Sequence, residues 1–388
     1  MTTEIYFDNS ATTRISEAAL ETYCQLSREH FGNPSSLHHR GVDAERYLKP
    51  VREGICRALG AAGGTVIFTG SGSEANNLAI FGRAYSKPRF MKKKIITTAG
   101  EHASVAMPLA RLREEGYTVV EIPTLHGELD MDRLEAELTR DTILVTMMLV
   151  NNETGAVYDL ETVSSMMRRA CPDAVLHCDA TQAFLKLAFS VKKLGADMVT
   201  VSAHKVEGPK GVGALWVSDA ILKNKGLRPH LLGGGQENGM RAGTENLPAI
   251  AAFGQAVRDG LDTLDARSAK MAALRQYLLA SLASDALKEA KPLAPRCAAP
   301  HIVNIGLPAI KSEVMLHYLS GRGICVSSGS ACSSHGRHGA HPLLAYGLHE
   351  RQADSSIRVS FSSHNTEEEI DIFCAALTDG IRTLARMR

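Results

Sequence analysis

No stretch of this chain is apolar for long enough to cross a bilayer. The longest run, TILVTMMLV at 142–150, falls well short of the roughly 20 residues a spanning helix needs. An excess of charge is missing too. Lys and Arg number 43 against 42 Asp and Glu, a formal net charge of +1, which favours neither nucleic acid nor an anionic membrane as partner. The opening residues, MTTEIYFDNSATT, have no basic region followed by an apolar one and do not read as an export signal. The eight cysteines (Cys24, Cys56, Cys171, Cys178, Cys297, Cys325, Cys332 and Cys374) contain no C-x-x-C pair. Free thiols in a reducing cytoplasm are therefore expected. The flanks of Cys171 and Cys178 look like a helix end followed by a buried strand, so no metal is expected there. Internal repeats and low-complexity tracts are absent as well.

What is present fits an ordinary globular chain. At 388 residues, with 44% hydrophobic and 22% charged residues, two packed units are expected. Apolar, β-rich runs recur at 65–70, 94–99, 118–123, 142–150, 174–179, 198–203 and 213–218. Most lack alternation, as strands covered on both faces do. Amphipathic helical patterns lie between them, including 103–116, ended by Gly116, and 160–171, capped by Asp159. This alternation predicts an α/β fold: a large domain with a mostly parallel, mixed sheet flanked by helices. After about residue 260 the texture changes to a long helical stretch over 261–290, a Pro-containing connection, short strands and a final helix. That part predicts a smaller α+β domain, to which IYFDNSATT returns. The expected boundaries are 15–260 for the large domain, and 1–14 with 261–388 for the small one.

Open α/β sheets bind ligands at the carboxyl ends of their strands, so chemistry is expected at the strand exits. TGSGSEANNLAI (69–80) leads glycines and serines into a helix: an anion site, or simply a capped helix start. No G-K-[ST] follows, so it is not a P-loop. TTAGEHASV places His102 at the next exit, where a plain helix-start histidine is the bland alternative. LVNNETGAV places Asn151, Asn152 and Glu153 at another, as a turn or as a grip on a ligand. LHCDATQAF puts Asp179 at the end of a buried strand, as a helix cap or as the partner of a cationic ring nitrogen. VSAHKVEGPKG puts Lys205 at an exit, flanked by Ser202 and His204. An enclosed lysine there has a lowered pKa and serves as a nucleophilic amine. An anion cradle, a buried acid, a histidine and an amine together fit pyridoxal 5′-phosphate, with Lys205 forming the Schiff base and Asp179 holding the pyridinium.

Two further centres stand apart. SSGSACSSHGRHG (327–339) sets Cys332 in a Gly/Ser-rich stretch, expected to be a mobile loop, with His335, Arg337, His338 and His341 nearby to lower its pKa. SSIRVSFS places Arg358 inside a short strand, where it needs an anion: a substrate carboxylate or an internal salt bridge.

Taken in order, YFDNSATT, FGNPSSLH, TGSGSEANNLAI, EHASV, VNNETG, HCDATQ, SAHKVEGPKG, GGGQENGMRAGTEN, SSGSACSS and SSIRVSFS resemble the pyridoxal-phosphate-dependent cysteine desulfurases of the NifS/IscS type. Those enzymes belong to the fold-type I aminotransferase superfamily, and the resemblance spans essentially the whole chain. It implies that Lys205 holds the cofactor and later moves the substrate α-proton, and that His102 stacks on the ring and takes part in proton transfer. Asp179 would pair with the ring nitrogen, Gln182 with the ring hydroxyl, and Asn152 with that oxygen and the substrate. Gly72, Ser73, Ser202 and His204 would hold the phosphate. Thr244 would reach the phosphate of a neighbouring subunit, implying a homodimer. Arg358 would bind the carboxylate of L-cysteine, and Cys332 would attack its sulfur, leaving a persulfide and releasing L-alanine. A sulfur-acceptor protein, serving iron–sulfur cluster assembly or tRNA thiolation, is the implied partner. The chain departs from the pattern at HGRHGAHP, after the cysteine, and at Val206–Glu207. A selenocysteine lyase, or another fold-type I enzyme that needs no Cys332, is the alternative.

Overall fold

The computed structural model describes residues 4–86, 93–308, 310–328 and 342–385. Its largest element is a seven-stranded sheet built from β1 (Thr65–Thr69), β2 (Lys94–Thr98), β3 (Thr118–Ile122), β4 (Thr142–Met148), β5 (Val175–Asp179), β6 (Met198–Ser202) and β7 (Gly213–Val217). The strand order is β1-β7-β6-β5-β4-β2-β3. Only β7 runs against its neighbours, β1 and β6; the remaining pairs are parallel. Every expected strand of this part is therefore present, shifted at its ends by at most two residues.

The interior strand β4 is buried along its whole length, which explains why TILVTMM carries no alternation. One face of the sheet packs Ile67, Ile95, Leu144, Met198 and Leu215 against helix α1 (Gly72–Tyr85), which contributes Leu78, Ala79 and Ile80. The other face packs Phe68, Val145, Met147, Leu176 and Val199 against helices over Leu48–Ala58, Leu160–Ala170 and Leu247–Asp262. Asp159 caps the second of these, its Oδ1 accepting from the Thr162 N–H at 3.0 Å.

A separate apolar cluster surrounds a four-stranded antiparallel sheet. Its strands are Lys291–Pro292, Ile302–Gly306, Ser356–Ser360 and Ser327–Ser328. Helices Leu264–Leu282, Ser312–Ser320 and Glu367–Ala385 cover it. The N-terminus does return here. Ile5–Tyr6 pairs in parallel with Ile324–Cys325, and the Phe7 ring meets Phe361 and Phe373 edge-on, with centroids 5.5 and 5.9 Å apart. The helical stretch expected over 261–290 differs. It begins as the end of Leu247–Asp262, breaks at Thr263, resumes at Leu264 and stops at Leu282. Thr263 adopts φ −114° and ψ 8° and donates from its Oγ1 to the Asp259 carbonyl, which ends one helix and starts the next.

Candidate active site

The carboxyl ends of β4, β5 and β6, together with the start of α1, open onto one cavity of about 390 Å³. Its walls include Gly72, Ser73, His102, Asn152, Asp179, Gln182, Ser202, His204, Lys205 and Arg358. Ten of the positions singled out in the sequence thus face one space, although they come from segments spread over nearly 290 residues of chain.

The anion cradle forms at the top of α1. Ser71 caps the helix, its Oγ accepting from the Glu74 N–H at 3.1 Å. The loop is pressed against β7 at Gly213. A Cβ there would lie 2.5 Å from the Ser71 carbonyl carbon, so only glycine lets the two backbones approach this closely. Across from the helix start, the Ser202 Oγ is buried with no hydrogen-bond partner among the described residues. The first helical N–H groups, at Gly72 and Ser73, and an unpartnered hydroxyl are what a phosphate would need. His204 contacts the Thr12 Oγ1 through Nδ1 at 3.2 Å, and burial with Lys205 nearby lowers its pKa to about 4. At neutral pH it brings a neutral imidazole to the site, not a charge.

Asp179 ends β5, buried, with both oxygens engaged. Oδ2 accepts from Asn76 Nδ2 at 2.7 Å, and Oδ1 from the Thr181 N–H at 2.9 Å. No α-helix follows, so the cap reading fails for regular helix, although the Thr181 contact is a local turn. Asn76 also donates to the Ser104 Oγ at 2.8 Å, and Ser104 Oγ lies 2.8 Å from His102 Nδ1. A line of side chains therefore runs Asp179–Asn76–Ser104–His102. The Ser104 N–H also donates to His102 Nδ1, at 3.1 Å, so Nδ1 is an acceptor and the neutral ring carries its proton on Nε2. His102 is thus both a helix cap and a cavity wall. Its ring is exposed toward the cavity, yet the surrounding protein lowers its pKa.

Lys205 sits one turn beyond β6. Its Nζ donates to the carbonyls of Ser10 (2.5 Å) and Ala11 (2.8 Å). Burial first, and then the Arg358 charge, lower its pKa to about 8, against the pull of Asp8, Asp179 and Glu153. Gln182 donates from Nε2 to the same Ser10 carbonyl at 2.9 Å, while its Oε1 accepts from Lys186 Nζ at 3.4 Å. Burial, with Lys205, Arg267 and Arg358 nearby, lowers Lys186 to about 7.

Arg358 enters from the small sheet. Nη1 donates to Glu153 Oε1 at 2.6 Å and to the Asn152 carbonyl at 2.8 Å, and Nη2 pairs with Asp8 Oδ1 at 3.1 Å. The internal salt bridge and the cavity position are thus both realised. Burial raises the pKa of Glu153 and of Asp8, with Arg358 opposing the rise in each.

Sequence reasoning gave no role to several of these residues. Asn76 lies four residues after Gly72, on the same helix face, and that spacing was the available signal. Glu101 stands beside His102, fully buried, accepting from the Thr98 hydroxyl at 2.7 Å and the Met148 N–H at 3.0 Å, with its pKa pushed up to about 8 by burial. Asp8 had no signal beyond its place within YFDNSATT. Thr244 lies outside the main cavity of its own chain; it lines a second one of about 170 Å³ with Thr69, Gly70 and Arg241. Cys332, His335, Arg337, His338 and His341 lie outside the described residues.

The family model described as "Aminotransferase class-V" matches residues 5–373. The chain belongs to that family. Within it, the chain groups with the cysteine desulfurases. A cysteine desulfurase of Nostoc sp. is 38% identical over 376 residues, covering 95% of this chain and 90% of the relative. A solved NifS-like protein superposes with a TM-score of 0.90 at 32% identity, covering 98% of this chain and 100% of the other. SspA, solved in complex with cysteine, superposes with a TM-score of 0.79 at 32% identity, covering 93% of this chain and 100% of the other. The class-V desulfurase fold is the fold-type I architecture expected from the sequence, and enzymes of this family depend on pyridoxal phosphate. The residues found here fit that group: an open helix start with an orphaned Ser202 hydroxyl, a buried carboxylate at Asp179 and a desolvated amine at Lys205.

Proposed function

We propose that this chain takes sulfur from L-cysteine as a persulfide on Cys332 and releases L-alanine. The observation that carries the reading is the convergence of Lys205, Asp179 and Arg358 on one cavity. These are an amine, a ring-nitrogen partner and a carboxylate receptor, which an α-amino acid bound through an aromatic aldehyde requires. The structural likeness to SspA, a protein solved with cysteine bound, supports the choice of amino acid.

When bound, pyridoxal 5′-phosphate supplies an aldehyde and an electron-accepting ring. The chain's own residues do the rest. Ser202, Ser73 and the N–H groups at Gly72 hold the phosphate, with His204 beside it. Asp179, fixed by Asn76 and Thr181, stays where it pairs with a protonated ring nitrogen. His102 would cover the ring and present its Nε2 proton. Gln182 and Asn152 would hold the ring oxygen. Lys205, partly neutral near pH 8, carries the proton away from the α-carbon. Arg358 would hold the carboxylate. The carbon–sulfur bond then breaks as a sulfur–sulfur bond forms on Cys332; the thiol proton goes to the β-carbon and Lys205 returns the proton to the α-carbon, so that the three-carbon unit leaves as alanine.

The same reading assigns residues 15–260 to a cofactor-binding domain, and 1–14 with 261–388 to a small domain carrying the Cys332 segment. It makes the enzyme a cytoplasmic homodimer, with Thr244 completing the phosphate site of the partner. It also makes the persulfide the sulfur source for an acceptor protein in iron–sulfur cluster assembly or tRNA thiolation. Among the described residues no helix is long and apolar enough to cross a membrane. Alanine formation from L-cysteine tests the reading. It is expected in the wild type and lost in both Lys205→Ala and Cys332→Ser. Undiminished turnover in Cys332→Ser would point instead to a lyase that needs no acceptor thiol.

A further inference from the structure

Glu153 touches both residues that the reading above places against the substrate, yet has no role of its own in it. Its Oε1 receives the Arg358 Nη1 proton at 2.6 Å and the Asn152 Nδ2 proton at 2.8 Å. Because Oε1 already accepts from a guanidinium, which can only donate, it faces Asn152 as an acceptor too. The amide of Asn152 must then turn its NH₂ to Glu153 and its oxygen away. The Asn152 Oδ1 is indeed buried with no partner among the described residues, in a side chain that lines the cavity. The same Nη1 also donates to the Asn152 carbonyl at 2.8 Å, closing a three-residue knot between the end of β4 and the small sheet. Asn151 fastens the knot from below, its Oδ1 accepting from the Glu153 N–H at 3.0 Å and the Thr154 N–H at 2.9 Å.

We propose that Glu153 is a positioning residue that makes the cavity specific for α-amino acids, resting on the reading above for what the cavity binds. It fixes a cation, Arg358, where the carboxylate binds, and ties it to Asn152 through one shared oxygen. Asp8 adds a second carboxylate to Arg358, but at 3.1 Å and from the more exposed side, so it does not fix the Asn152 amide. A ligand lacking the carboxylate gains nothing from Arg358, and should not sense the loss of Glu153 through it.

The test uses the cofactor-loaded wild type and Glu153→Gln, with the cofactor's absorbance reporting dissociation constants for L-alanine and for ethylamine, its analogue without the carboxylate. The inference expects Glu153→Gln to weaken L-alanine about tenfold or more, the scale of one charge-assisted contact, and to leave ethylamine within about twofold. The double variant Glu153→Gln/Arg358→Lys should bind L-alanine no worse than Arg358→Lys alone. Glu153→Asp, which keeps the charge but draws the carboxylate back by one methylene, should show the same selective loss should the Gln variant not fold. Equal losses for both ligands, no loss for either, or additive losses in the double variant would overturn it. A wild type that takes up the cofactor but does not distinguish L-alanine from ethylamine would overturn the substrate reading, and the inference with it.

Discussion

Asp179 and His102 lie on different strand exits, but Asn76 and Ser104 join them in one hydrogen-bonded row with contacts of 2.7, 2.8 and 2.8 Å. The row puts a carboxylate at one end and a neutral imidazole at the other, both on the wall of the same cavity. Its middle member, Asn76, is nearly fully buried and donates in both directions, so it cannot be replaced by a residue with a single donor without orphaning one neighbour.

The first prediction concerns that middle member. Asn76→Ala frees the Asp179 Oδ2 and the Ser104 hydroxyl together, so Asp179 loses its orientation while keeping its charge. Alanine formation from L-cysteine should fall by about 10²-fold, the scale of removing one preorganised polar contact in an enclosed site. Asp179→Asn should fall at least as far. Both variants should still take up the cofactor, since Lys205 and the phosphate cradle are untouched. Steady-state rates with the cofactor absorbance recorded on the same samples check this.

A second follows from the Lys205 amine. Only the neutral form attacks an aldehyde, and burial brings its pKa down to about 8. Cofactor uptake by the cofactor-free protein should therefore accelerate as pH rises toward 8 and level off above it. An amine left in water would go on gaining until well above pH 10. Stopped-flow absorbance across pH 6 to 10 is the measurement. Lys205→Ala should show no covalent uptake at any pH.

Glu101 gives the third. Burial raises its folded pKa to about 8, above its unfolded value of 4.5. Folded protein therefore holds a proton that unfolded chain releases between those values. The stabilisation is fully present below pH 4.5 and drains away as pH rises through 8. Glu101→Gln keeps an acceptor for Thr98 and the Met148 N–H but cannot ionise. Its melting temperature should fall less than that of the wild type between pH 5 and pH 8.5, by on the order of a few degrees. Paired thermal melts across that range decide it.

Much of the site could be read from strand exits alone, because each of Asp179, Lys205 and His102 follows an apolar run whose covering on both faces fixes where it ends. Arg358 was legible for the opposite reason: a cation between Ile357 and Val359 in a buried strand needs an anion. The partners it found, Glu153 and Asp8, were not foreseen, because they come from distant parts of the chain and meet only through the packing of the two sheets. Asn76 and Ser104 look like ordinary helix polar residues until the helix is laid on the sheet. The break at Thr263 had a signal that was passed over: Asp259, Gly260 and Asp262, all poor helix formers, precede it, and the apolar pattern was read straight across them.

The central claim is that sulfur passes from L-cysteine to Cys332 in a site organised by Lys205. The most direct measurement is mass spectrometry of the Cys332 peptide after anaerobic incubation with L-cysteine, with alanine counted in the same sample. One added sulfur atom on that peptide, matched by one alanine per site and absent in Lys205→Ala, is the predicted result. Alanine accumulating while the Cys332 peptide keeps its original mass, under conditions that preserve persulfides, would contradict it.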